Sequence, residues 1–436
     1  MRNVVLVTYD SLRADHVGHH GYERDTTPTL DAMAEEGVTF ENAIAPASRT
    51  NPSMASTFTG EPMVVRDRVA DPEYARSHLR RHGTLAERMS ELGYTTGAFN
   101  PNAYASRYYG FDRGFDTFED FLFSSDRYQS LFEEHLGDSS LVTTLRNLRN
   151  LVRRQEAFKT WNTYVDQIEE WVRDQTEPFF LWVFSLDTHF PHLMPREYRE
   201  WSNVVQMYYY NWRCNQLIDE FDIDLSEREK QKIIDIYDDS ILFADALLAE
   251  LRERLDEFDP VFVVHGDHGE AFDEHGVYGH FYPSLYEENV RVPLVVSEGD
   301  ATGAVDRPIS LLELPELVER VGTESESDLA ELTRDWVVAT DYDGRFDRNL
   351  TAIRTRDLKY LRTTEGDETR KEFYDLAADP VEQENLVDGD HPADEPLSKL
   401  AARRDTHERE LLAIEDAAAE IDDIERRTAK SAPPGS

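Results

Sequence analysis

Cysteine is nearly absent from this chain. A single residue, Cys214, in 436 excludes an internal disulfide framework and a cysteine-built zinc cluster, and a lone thiol of this kind is expected to act as a small core residue. Long apolar runs are missing too. No stretch approaches the roughly 18 residues of a membrane-spanning helix, so no integral membrane segment is expected. The opening M-R-N-V-V-L-V-T-Y-D has an apolar run too short for a signal peptide, and it ends in charge, which makes the cytoplasm the expected compartment. Positive charge is scarce: 46 Lys and Arg stand against 88 Asp and Glu, a net charge of −42. Such a surface repels nucleic acid and anionic membranes, so neither is an expected partner. Acidity spread over the whole length resembles that of proteins adapted to high salt. An anionic substrate would have to be drawn in locally, by metal, Arg and His, against this field. No internal repeat is present.

Hydrophobic residues are plentiful at 40%, enough for a large core. Asn3 to Thr8 is a short β-branched and aliphatic run of the kind that forms a strand buried on both faces. A helix is predicted over 28–37, a strand from Val38 to Ala43, a helix over 83–92 closed by Gly93, and a strand from Tyr94 to Asn100. Phe179 to Leu186 and Val261 to Val264 read as central strands, and Arg291 to Val296 as one more. Residues 204–256 are predicted helical, as is a segment around 308–321. Strands alternating with helices imply an α/β fold with a mostly parallel sheet covered on both sides. Residues 120–176 depart from this rhythm and are read as a helical insertion in a catalytic domain spanning 1–332. After about residue 333, alternating segments (Trp336 to Thr340, Thr351 to Arg354, Lys359 to Thr363) predict a small antiparallel-sheet subdomain, 333–390. A charged helix and a disordered tail are expected over 391–436.

Three predicted strands end in metal- or anion-binding side chains: Asp10, then Asp187 and His189, then Asp267 and His268. In an open parallel α/β sheet, the carboxyl ends of the strands form the ligand crevice, so these residues should converge. Gly266 and Gly269 flank Asp267-His268 and permit close backbone approach. His265, His275 and His280 lie in or near the same loop. A hydroxyl comes from Thr50, which precedes Pro52 at a helix start and would face the positive end of the helix dipole; as a simple N-cap it would bond its own helix instead. A divalent cation on Asp10, Asp267 and His268 could take the Thr50 hydroxyl as a further ligand and activate an otherwise poor nucleophile. His189 and His280 would then stabilise charge or protonate the leaving group.

With those residues in view, the chain resembles the sulfatase family of the alkaline phosphatase superfamily over nearly its full length. The resemblance runs through V-V-L-V-T-Y-D-S-L-R-A-D-H-V-G, T-N-P-S-M-A-S-T-F-T-G, S-L-D-T-H-F-P, H-G-D-H-G-E and Y-E-E-N-V-R-V-P-L-V-V to E-F-Y-D-L-A-A-D-P-V-E-Q-E-N-L. It implies an alkaline-phosphatase-like α/β/α sandwich with a small C-terminal α+β subdomain. It also implies a metal on Asp10, Asp267 and His268, a nucleophile at Thr50, and substrate or leaving-group roles for His189 and His280. Three departures stand out. Thr50 occupies the position where typical members carry a Cys or Ser converted to formylglycine, and Met54 replaces an Arg. Tyr9 is aligned with a second metal-binding Asp, and a site with one carboxylate fewer and a His ligand suits Mn²⁺ or Zn²⁺ better than Ca²⁺ or Mg²⁺. A Lys-x-His pattern is replaced around Asn100 and Asn102, which together with His275 are expected to contact substrate. The implied activity is metal-dependent hydrolysis of a small sulfate or phosphate ester through Thr50. Two alternatives are a phosphoethanolamine- or phosphoglycerol-type transferase, which the Thr nucleophile resembles, and an inactive family member retained as a binding protein.

Overall fold

The computed structural model describes residues 1–64, 72–121, 159–176, 178–218, 223–297, 303–323, 328–387, 391–408 and 410–411. The apolar run near the N-terminus lies at the middle of the molecule: Val4–Tyr9 is strand β1, and all six of its residues are buried. The sheet around it contains β2 (Val38–Phe40), β3 (Thr95–Phe99), β4 (Thr117–Glu119), β5 (Phe179–Ser185), β6 (Val261–Gly266), β7 (Leu294–Val296) and β8 (Gly303–Val305). Its order is β8-β2-β7-β6-β1-β5-β3-β4. All neighbours run parallel except β7, which is antiparallel to both β2 and β6. Tyr9 pairs with Ser185 on one side and Gly266 on the other, so the three central strands end level with one another. That register carries Asp10 and Asp267 to one edge of the molecule.

Alternate residues of β1 feed two cores, as a period of two requires. Val4 and Leu6 face the helices Thr50–Thr59, Leu85–Glu91 and Leu314–Thr323 through Met54, Phe58, Met89 and Leu317. Val5 and Val7 face Pro28–Glu36, Val165–Arg173 and the long helix Glu227–Leu255. The result is the α/β/α sandwich that the alternation implied. Acidic residues of the long helix are used internally. Asp245 accepts hydrogen bonds from Thr29 and Leu30 N–H at 2.8 and 3.0 Å, capping the start of the Pro28–Glu36 helix from outside. Gly97 on β3 permits a close approach, since a Cβ there would lie 2.4 Å from the ring of Trp171. Gly97→Ala is expected to lower stability by about 1–3 kcal/mol through overpacking, read as a drop in the urea midpoint.

A separate antiparallel sheet follows, formed by β9 (Trp336–Asp343), β10 (Arg348–Thr355), β11 (Leu358–Glu365) and β12 (Glu368–Asp375) in chain order. One face packs Val337, Leu350 and Tyr374 on Ile44, Leu285 and Val290 of the main body. The other receives Leu397 and Ala401 from the helical stretch 394–408. Lys359 is fully buried at this junction, 3.0 Å from both Glu287 and Glu382, so its charge is paired as burial requires. Part of the expected insertion, 122–158, and the tail from 412 lie outside the described residues. Two predicted strands are broken in the structure. Val38 to Ala43 stops at Phe40, and Ala43–Ile44 joins a small separate sheet. Arg291 to Val296 is interrupted by Pro293, which has no N–H to give a ladder: Arg291–Val292 pairs with Ala43–Ile44 and Leu294–Val296 with the main sheet.

Candidate active site

Asp10 follows β1 directly, and the chain turns sharply after it because Ser11 takes a positive φ of 59°. That turn directs Ser11 N–H to Asp267 Oδ1 at 3.0 Å and Ser11 Oγ to Asp10 Oδ1 at 2.9 Å. Asp267 and His268 follow β6. Gly269 after them cannot be replaced freely, because a Cβ would lie 2.0 Å from the Glu288 carbonyl oxygen. His268 Nδ1 hydrogen-bonds to the Gly269 carbonyl at 2.8 Å. That bond fixes the tautomer and leaves a lone pair on Nε2.

Ligand atoms of Asp10, Asp267 and His268 all lie within 4.8 Å of one another, and all three residues are buried. Thr50 Oγ1 is 3.1 Å from His268 Nε2. Thr50 opens the Thr50–Thr59 helix, yet its hydroxyl makes no cap bond there, since the N-cap residue is Arg49 in an extended conformation. Two side chains 218 residues apart in sequence therefore meet at one point. Asp267 Oδ2 has no hydrogen-bond partner there. Burial, with the charge of Asp10 beside it, holds the Asp267 pKa well above the ordinary carboxylate range. Burial likewise pushes His268 down to about 4. An orphaned carboxylate oxygen, a second buried carboxylate, an imidazole lone pair and a hydroxyl make a donor set that fits a divalent cation.

Around this group lies a second layer. The His280 ring lies tilted 4.4 Å from the His268 ring and meets that of His189 edge-on at 5.0 Å. Its Nδ1 is 3.1 Å from Glu270 Oε2 and 3.5 Å from Ser11 Oγ. Burial pushes His280 down to about 3 and Glu270 up to about 7. His189 is half-buried, with Nδ1 bonded to the Phe190 carbonyl. Asn102 donates Nδ2–H to Asp10 Oδ2 and accepts from Tyr104 N–H at 2.7 Å, so it orients the carboxylate.

Two sequence expectations are corrected by this geometry, the substrate contacts at Asn100 and His275. Asn100 is not brought to the group as a substrate contact: its amide donates to the Ala105 carbonyl at 2.6 Å and accepts from Asn102 N–H at 2.8 Å, bracing a loop. His275 lies instead at the junction with the C-terminal sheet, stacked 3.5 Å from Tyr286 and bonded to Glu288 at 2.8 Å and to the Glu382 carbonyl at 3.1 Å. Tyr9 points into the core, with its hydroxyl on the Ala244 carbonyl at 3.3 Å, because strand alternation aims it away from the crevice. The residue beside Asp10 is Ser11.

Sequence reasoning missed the support of the segment before Thr50. Asp341 on β9 accepts Ser48 N–H at 3.1 Å and Ser48 Oγ–H at 2.8 Å, and pairs with Arg49 through Nε and Nη2. Ser53 Oγ donates to the Asp267 carbonyl at 2.6 Å, tying the Thr50 helix to the ligand loop. Glu270, bonded to His280, was missed as well, although H-G-D-H-G-E sets an acid beside two histidines. Asp341, 292 residues from Arg49, carries no such local signal.

A family model described as Sulfatase matches residues 2–316 of the chain with this geometry. The ulvan-active sulfatase of Formosa agariphila is 26% identical over 418 residues, covering 88% of this chain and 77% of that protein. Human arylsulfatase K is 22% identical over 452 residues, covering 88% and 78%. Among solved structures, the phosphonate monoester hydrolase of Agrobacterium radiobacter superposes with a TM-score of 0.65 at 19% identity, covering 96% of each chain.

Proposed function

The chain belongs to the sulfatase family, divalent-metal-dependent hydrolases of sulfate and related esters, and on that footing we propose that it cleaves sulfate or phosphate esters with Thr50 as nucleophile. The observation that supports this reading is the Thr50 hydroxyl at 3.1 Å from His268 Nε2, at the edge of the buried Asp10, Asp267 and His268 group. Those four residues would hold a Mn²⁺ or Zn²⁺ ion. When bound, such an ion lowers the pKa of the coordinated hydroxyl and offsets charge on the transferred group.

The protein's own residues do the rest. Thr50 Oγ releases its proton to solvent and bonds to the sulfur or phosphorus while the bond to the ester oxygen breaks. The departing oxygen takes its proton from the His189 and His280 side of the site. Burial raises Glu270 to about 7, and it hydrogen-bonds His280, so this couple can hold a proton where the leaving group needs one. Water then attacks the Thr50 ester, releasing sulfate or phosphate and restoring the hydroxyl. Threonine cannot form the aldehyde hydrate available to formylglycine, so release rests on this attack. The relatives named for ulvan and aryl substrates favour a sulfated sugar or aryl ester.

The test is a side-by-side assay of an aryl sulfate, a phosphate monoester, a phosphodiester and a phosphonate ester, with metal content measured on protein purified in high salt. Turnover of at least one, with about one tightly held divalent ion per chain, is expected. His280→Ala should lose roughly 10²-fold or more on esters with poor leaving groups and less on activated aryl esters. Equal losses on both would remove the proton-donor role.

A further inference from the structure

Resting on that reading, we propose that Arg49 is the residue that binds the anionic oxygens of the transferred group, aimed by Asp341 of the C-terminal sheet. Arg49 directly precedes Thr50 and caps its helix in an extended conformation. Its guanidinium meets Asp341 along one edge, through Nε at 3.4 Å to Oδ2 and through Nη2 to Oδ1, and Nη2 also donates to the Tyr342 carbonyl at 2.8 Å. That side-on pairing leaves the two N–H groups of Nη1 turned away from the carboxylate. The Asp341 carboxylate is fully buried and also bound by Ser48 N–H, Ser48 Oγ–H and Tyr342 N–H, so it is a fixed anchor. The Arg49 side chain itself keeps 18% of its surface exposed, a cation at the edge of a crevice and not one sealed in a core.

The neighbouring contacts agree. Asn51, on the other side of Thr50, donates Nδ2–H to the Tyr104 carbonyl at 2.7 Å, and Tyr104 N–H bonds Asn102, which in turn holds Asp10. The segment that begins at Arg49 is thereby drawn against the carboxylates, with the Thr50 hydroxyl 3.1 Å from His268 Nε2. An ester placed for attack by Thr50 thus lies beside the Arg49 guanidinium. The need for a cation is plain: two buried carboxylates face the point of attack in a chain of net charge −42. Met54, four residues after Thr50 on the same helix, is apolar and completely buried in the core, and it cannot meet an anion.

The experiment compares Arg49→Gln and Arg49→Lys with wild type, reading kcat, KM, thermal midpoint and competitive inhibition by inorganic sulfate and phosphate. Arg49→Gln should weaken inhibition by both ions roughly tenfold or more, the share of a charge-assisted contact, with Arg49→Lys intermediate. A folded Arg49→Gln enzyme inhibited within about twofold of wild type would overturn the proposal and leave Arg49 a structural latch. Should Arg49→Gln not fold, the wild-type enzyme is treated with phenylglyoxal and its arginines mapped. Phosphate should slow modification of Arg49 and not of the exposed Arg356, and equal rates would overturn the proposal. The two readings fail separately. Phosphate protection of Arg49 without ester turnover removes the hydrolase and keeps the anion site; turnover with unchanged inhibition in Arg49→Gln does the reverse.

Discussion

Thr50→Ala is expected to abolish ester turnover, by on the order of 10⁴-fold or more, while the fold and the metal content stay close to wild type. Its hydroxyl is the oxygen that the Thr50–Thr59 helix places 3.1 Å from His268 Nε2. The loss to stability is small, because removing one hydroxyl hydrogen bond costs about 1 kcal/mol and the helix keeps its anchors through Ser53 and Phe58. Metal retention follows from the other three ligands, which the substitution leaves untouched. Thr50→Ser keeps the oxygen and should keep measurable activity, losing only the methyl group that holds one rotamer. Steady-state kinetics, a thermal melt and metal analysis on the three proteins check this together. A Thr50→Ala enzyme that turns over at the wild-type rate would show that another group, water included, makes the attack.

Much of this site was legible because strand ends are legible. The buried runs before Asp10 and Asp267 declared central strands, and a parallel sheet puts the ends of such strands together. Thr50 could be suspected from Pro52 and the small residues after it. What the sequence hid was direction. Tyr9 and Asp10 are neighbours, yet one faces the core and the other the crevice, and the left-handed turn at Ser11 exchanges a serine for the tyrosine beside the ligands. Asn100 and Asn102 look equivalent in N-P-N-A-Y, but the first bonds its own loop and the second bonds Asp10. His275 sits in a histidine-rich loop and is drawn off by Tyr286 and Glu288. Contacts made by distant segments were invisible: nothing near Asp341 marks it as the support of Ser48 and Arg49. In the fold, Pro293 alone could have announced that the segment 291–296 would split.

Asp267→Asn should separate what the ion does from what the fold does. The variant is expected to lose bound metal and nearly all turnover, because the ligand whose Oδ2 makes no hydrogen bond no longer carries charge. In metal-free protein the stability order should run the other way. Burial and the neighbouring Asp10 raise the Asp267 pKa in the folded state, so there the carboxyl holds its proton more tightly than in the unfolded chain. Proton binding greater in the folded state makes stability fall as pH rises from the ordinary carboxylate range through the raised value. An asparagine side chain cannot ionise, so the substitution removes that decline. His268, pushed down to about 4, makes the opposite contribution in both proteins, stabilising as pH rises toward its ordinary value. The amide introduced by Asp267→Asn would also keep the acceptor that Ser11 and His268 N–H use. It would set an N–H near His268 Nε2, which lies 3.5 Å from the present Oδ2. Melts from pH 5 to 8 with chelator should therefore find the variant at least as stable as wild type, with the gap widening as pH rises. Added Mn²⁺ or Zn²⁺ should raise the wild-type midpoint by mass action and leave the variant unmoved, reversing the order. A variant less stable than wild type in chelator at every pH would mean that the Asp10 and Asp267 carboxylates do not oppose each other in the folded chain, and the argument that they await a cation would fall with it.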